Sequence, residues 1–183
     1  MERGEMQQYA TFDDYPQFSY SILKHLLASP DAELLWKILK YNTNNPYKEV
    51  NLTKSEKTAL IYDGSADPVN FRVFLDQGME DVVTEVMTLI RIYPLIIMPE
   101  NYTNGLASIN FEIYSHHKTN TMINKQTKID TIVQALLKSL NGKDIGGVGN
   151  LFFNANRSRY DKIAAIGTTP YKGKCLTMSV NIA

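Results

Sequence analysis

The residues able to do chemistry fall in a few short stretches. His116, His117 and Lys118 stand together, with His25 the remaining histidine. Adjacent residues on a strand point to opposite faces, so the two neighbouring imidazoles are poorly placed to chelate one ion, and the stretch reads as a strand end at a solvent-facing or subunit-facing edge. Gly142, Gly146, Gly147 and Gly149 invite a phosphate-loop reading. Such a loop runs Gly-x-x-x-x-Gly-Lys-Ser/Thr from a strand into a helix, so that amides at the helix start face the phosphates. Here the glycines follow a helix pattern and precede a strand pattern, and Gly142-Lys143 is followed by Asp144, so they read as a connection. Cys175 is the lone cysteine, set in an alternating strand, and reads as structural. With no Gly-x-Ser-x-Gly, His-Glu-x-x-His or Cys-x-x-Cys spacing in the chain, no catalytic, cofactor-binding or metal-binding residue is assigned, and the chain is read as a non-enzyme.

The strongest surface feature is basic. Arg157, Arg159, Lys162, Lys172 and Lys174 are interleaved with Tyr160 and Tyr171. Lysine and arginine on phosphate dominate sequence-independent nucleic-acid affinity, and tyrosine stacks on exposed bases. These five residues are the candidate contacts with a DNA channel or a neighbouring subunit. The alternative is a solvated face near a subunit contact.

The elements that carry these residues are most legible between Leu106 and Gly142. Ala107, Ile109, Phe111 and Ile113 alternate with Ser108, Asn110, Glu112 and Tyr114, which predicts a half-buried strand. Ile129, Ile132, Val133, Leu136, Leu137 and Leu140 then form one helical stripe, closed by Gly142. Further strands are expected at Asn70–Leu75, Val86–Met98, Asn150–Phe153, Lys162–Gly167 and Lys174–Ile182. Pro94 implies an edge or a bulge in its strand, because it donates nothing to a ladder. Pro99–Gly105 should turn the chain back into an antiparallel hairpin. Upstream, Ile22, Leu23, Leu26 and Leu27 mark one helix. Ser29-Pro30-Asp31 opens a second, which carries Leu34, Leu35, Ile38 and Leu39 and stops at Asn42–Pro46. Thr53 and Glu56 have capping-box spacing and predict a third helix reaching about Tyr62. The expectation is an α+β fold: a small antiparallel sheet packed against one long amphipathic helix, with residues 1–62 a helical N-terminal extension and 63–183 the α+β core domain.

With 183 residues, 44% of them hydrophobic, the chain is long enough for one well-cored domain. A single cysteine excludes an intrachain disulfide framework. The most apolar stretch, Leu89–Met98, is broken by Arg91 and Pro94 and is too short to span a bilayer, and Met1–Asp14 lacks the apolar run of a signal peptide. Formal net charge is zero, yet residues 1–100 hold nine Lys and Arg against fifteen Asp and Glu, a net −6, while residues 101–183 hold ten against four, a net +6. Opposed patches of this kind steer association and fix register between subunits.

Several phrases resemble the neck or head–tail connector proteins of tailed bacteriophages: Leu35-Trp36-Lys37-Ile38-Leu39-Lys40-Tyr41-Asn42, Leu52-Thr53-Lys54-Ser55-Glu56-Lys57, Ile90-Arg91-Ile92-Tyr93-Pro94 and Phe111-Glu112-Ile113-Tyr114-Ser115-His116. The passage from Asn110 to Leu140, with Gly149-Asn150-Leu151-Phe152-Phe153 and Tyr171-Lys172-Gly173-Lys174-Cys175-Leu176-Thr177-Met178, is similar to the α/β core of tail-completion or tail-terminator subunits. The resemblance implies a homo-oligomeric ring in the virion, between portal or adaptor proteins and tail proteins, around the DNA channel, with weak non-specific DNA contact and no membrane. An open sheet edge is a surface that a neighbouring subunit can satisfy. The loops around Met79 and at Thr119–Thr127 would then dock onto the next ring. The competing classes are a non-specific nucleic-acid-binding accessory protein, supported by the basic C-terminal third, and a small hydrolase or nuclease whose carboxylates meet only in three dimensions.

Overall fold

A computed structural model describes residues 15–65, 68–77, 86–99, 105–167 and 169–182. Among them the chain is mostly β: a curled, half-barrel-like mixed sheet with short helices. The strands are β1 (Val73–Phe74), β2 (Thr88–Pro99), β3 (Gly105–His116), β4 (Asp144–Ile145), β5 (Gly149–Phe152), β6 (Lys162–Ile166) and β7 (Tyr171–Ile182). They run β1-β2-β3-β7-β5-β4, with β6 beside β5 on the same flank of β7. All pairings are antiparallel except β1 with β2. The helices are α1 (Phe18–Ala28), α2 (Glu33–Lys40), α3 (Lys54–Thr58) and α4 (Lys128–Leu140).

The expected α+β fold, a small antiparallel sheet backed by one long helix, is therefore corrected. β2, β3 and β7 are each 12 residues long and form a sheet centre wider than the helices, whereas α4 has only 13 residues. Two causes explain the difference. The two-residue β4 falls in the glycine stretch read as a connection and has no periodicity to read, while β1, expected within Asn70–Leu75, is placed by loop bonds: Arg72 N and Val73 N to Leu60 O, and Tyr62 N to Val73 O. Those same bonds end α3 at Thr58, short of Tyr62, although the Thr53–Glu56 capping box forms as its spacing demands. The second cause is that β3 is buried on both faces rather than half-buried, with Glu112 alone less than fully covered.

The local readings at the sheet centre hold. Ala107, Ile109, Phe111 and Ile113 share one core with the α4 stripe, and Leu136 is 0% exposed. Phe18, Ile22, Leu26, Leu35 and Trp36 from α1 and α2 join that same core. Thr127 caps α4 by accepting from Asp130 N, and Gly142 ends it at φ +73°. Pro94 lies at a bulge, where the β2–β3 register shifts between Pro94 and Ile96. The loop around Met79 lies outside the described residues, as does most of the Pro99–Gly105 turn.

Candidate functional site

Side chains alternate between sheet faces, so the register sorts every residue of the three long strands. One face, carrying Ile109, Phe111, Leu176 and Met178, meets the helices. The other carries a polar band across β2, β3 and β7. Its rows are Arg91, Glu112 and Cys175, then Tyr93, Asn110 and Thr177, then Ser108 and Ser179. Arg91, Tyr93, Asn110, Ser108, Thr177 and Ser179 are all buried.

The band is knit by hydrogen bonds. Tyr93 Oη donates to Glu112 Oε1 at 2.6 Å and Tyr114 Oη to Glu112 Oε2 at 3.2 Å. Asn110 Nδ2 donates to Tyr93 Oη at 3.3 Å, and Thr177 Oγ1 donates to Asn110 Oδ1 at 2.8 Å. Ser179 Oγ lies 2.5 Å from Asp161 Oδ1 and 2.8 Å from Ser158 Oγ. Asp161 Oδ2 also accepts from Asn154 N at 2.6 Å, which ties the loop before β6 to the sheet. Burial, and then the Glu112 carboxylate, push the Tyr93 phenol well above its ordinary range and the Tyr114 phenol up to about 12. Burial also raises the Cys175 thiol, which disfavours the nucleophilic thiolate. Arg91, 2% exposed, pairs through Nη1 with Asp76 Oδ1 at 2.5 Å and lies over the Phe74 ring at 5.0 Å, while its Nε has no partner among the described residues. The half-buried strand expected at Ala107–Tyr114 leaves its polar members uncovered, whereas Ser108 and Asn110 are buried here beside β7. The signal that they face polar residues across strands lies in the register, which a single strand does not carry.

The five basic residues fall into two groups. Arg157 and Arg159 sit in the loop after β5, the first over the Phe152 ring at 5.6 Å and the second over Tyr160 at 5.1 Å, with Arg159 Nη2 also donating to Tyr160 Oη. Lys162 opens β6 on the polar-band face, opposite Thr177. Lys172 and Lys174 lie on the helix-side face of β7, and Lys174 forms an ion pair with Asp130 at the start of α4. That bond and one from Thr127 hold Asp130 below the usual carboxylate range. From Thr177 to Lys172 is roughly 16 Å along the strand. Lys172 and Lys174 line an open groove of about 630 Å³ with His117, Asp130, Ile166 and Pro170.

The two histidines depart from expectation. β3 ends at His116, so strand alternation does not govern His117, and the rings lie 4.5 Å apart at 31°. His116 is buried, and burial with the nearby His117 and Lys118 lowers its pKa. His25 is elsewhere, with a ring nitrogen 2.9 Å from Ser139 O. Among the described residues no group of three or more His, Cys, Asp or Glu side chains could hold a metal ion, and no helix is long and apolar enough to cross a membrane. The glycines at 142–149 form the turn of the β4–β5 hairpin and its approach.

Compared with known proteins, residues 32–180 match the model of the YomW family. No curated protein and no solved structure matches the chain.

Proposed function

Given that this chain belongs to the YomW family, a family of bacteriophage origin, we propose that it is a structural subunit of a head–tail connector ring in the virion. In this role it has no catalytic activity, and it packs between portal or adaptor proteins on one side and tail proteins on the other. The observation that carries the reading is the tract of exposed Arg157, Arg159 and Lys162 with the half-buried Tyr160, beside an open sheet flank, in a chain whose first hundred residues are net acidic. Complementary patches of this kind fix register when identical subunits close head to tail. Lys172, exposed and without an ion pair among the described residues, offers phosphate a weak contact; Lys174, held by Asp130, offers less. A stacked Arg159–Tyr160 pair also suits a nucleic-acid-binding accessory protein.

Native mass spectrometry with negative-stain electron microscopy, on the chain alone and with portal and tail proteins, tests the proposal. A closed ring, alone or templated by either neighbour, is the expected result. A chain that stays unassembled with both neighbours, yet binds one DNA sequence tightly at high salt, overturns it in favour of the accessory role.

A further inference from the structure

The two flanks of the sheet differ in what their backbones offer. Ile90 N donates outward to Arg72 O, and His116 N donates across to Met87 O. Backbone groups alternate along a strand, so even-numbered residues of β2 up to Pro94 point out of the sheet, and even-numbered residues of β3 point toward β2. The β3–β7 register then turns odd-numbered β7 residues toward β6. Through the pairs Lys162–Thr177, Ala164–Cys175 and Ile166–Gly173 it turns even-numbered β6 residues inward. Ile163 and Ala165 are left with N–H and C=O facing away from the sheet.

On the opposite flank, β1 covers Ile90, and the outward positions include Pro94 and, beyond the bulge, Pro99, neither of which has an N–H. That edge is blunted against strand addition. β6 carries no proline, Ile163 is 42% exposed, and among the described residues no backbone group outside β7 bonds to it.

We propose that β6 is a self-docking edge through which a second copy of this chain pairs antiparallel about a two-fold axis at Ala164. Three features choose a second copy as the occupant. The axis sets Ile163 opposite Ala165 of the second copy and satisfies every outward N–H and C=O of both strands. It sets Lys162 opposite Ile166, so like charges do not face each other. The large Ile163 then packs beside a small alanine, whereas the β2 edge of another copy, with no N–H at Pro94 or Pro99, offers only a broken ladder.

Sedimentation of the full chain should give species holding even numbers of the 20.8 kDa subunit. Ala165→Pro removes an outward donor while sparing the inward bonds of Ala164 and Ile166, and should halve that mass with an unchanged circular dichroism spectrum. A second test does not depend on that variant folding. In a Cys175→Ser background, needed because Cys175 is the register partner of Ala164, Ala164→Cys should form a covalent dimer under mild oxidation. The two Cα atoms would face each other in a non-hydrogen-bonded pair about 4.5 Å apart, within disulfide reach. Ala165→Cys should not, because it faces Ile163. Odd-numbered species in the unmodified chain, or cross-linking at 165 as ready as at 164, would overturn the proposal. The two readings fail separately, although Lys162 stands at the border of both surfaces: dimers without rings would defeat only the ring, and rings with odd copy numbers only the dimer.

Discussion

Glu112 shows how little a residue type says before its neighbours are known. A carboxylate at the middle of β3 reads as a solvated side chain, yet it accepts from two tyrosine hydroxyls that belong to β2 and β3. Both phenols have folded-state pKa values raised above the ordinary 10, Tyr114 to about 12. A raised acid binds its proton more tightly when folded, so this contribution is complete below pH 10 and is lost as pH rises through about 12. In Glu112→Gln the burial contribution remains but the charge is gone. Tyrosinate absorbance should then show Tyr93 and Tyr114 ionising at lower pH than in the parent chain. An unchanged titration would mean that the carboxylate does not govern them. The ion pair of Asp130 with Lys174 joins two partly exposed side chains and adds little stability at neutral pH. Its consequence is electrostatic: it removes Lys174 from the set of free cations.

At the scale of elements, sequence patterning was informative wherever one face met one core. The β3 stripe, the α4 stripe, the Thr53 capping box, the Gly142 stop and the Pro94 bulge follow from local chemistry, and each is present in the fold. What sequence could not supply was width. β1 is set by bonds from Leu60 and Tyr62, and the polar band depends on register between strands more than sixty residues apart, such as Asn110 with Thr177. The five basic residues were legible as a composition but not as a place, because β7 alternation puts Lys162's partner and Lys172 on opposite faces. Two substitutions probe the element packing. Leu136→Ala, at a 0% exposed position, should cost about 2 to 5 kcal/mol in chemical denaturation. Gly173→Ala should cost about 1 to 3 kcal/mol, since its Cβ would lie 2.8 Å from Ile113 O and 2.9 Å from Tyr114 Cδ1. Parent-like stability in either variant would contradict the packing described.

For the molecule as a whole, the unequal flanks and the charge asymmetry assign different work to different surfaces. With β2 blunted by Pro94 and Pro99, ring closure by strand addition from β6 onto β2 is disfavoured, and head-to-tail contact falls to side chains. Reversing Arg157 and Arg159 together should slow assembly more at low salt than at high salt, because rim charges act mainly on association and are screened beyond about 10 Å at 0.1 M. A rate insensitive to both the substitutions and the salt would remove charge from the account. Replacing Lys172 with Gln should flatten the salt dependence of DNA binding by about 0.9 in log–log slope if it meets one duplex phosphate, leaving assembly intact. The most direct test of the connector role is electron microscopy of particles produced by the phage genome with this chain deleted. The account predicts filled or partly filled heads and separate tails that fail to join, restored by supplying the chain in trans. Joined, complete particles in its absence would contradict it.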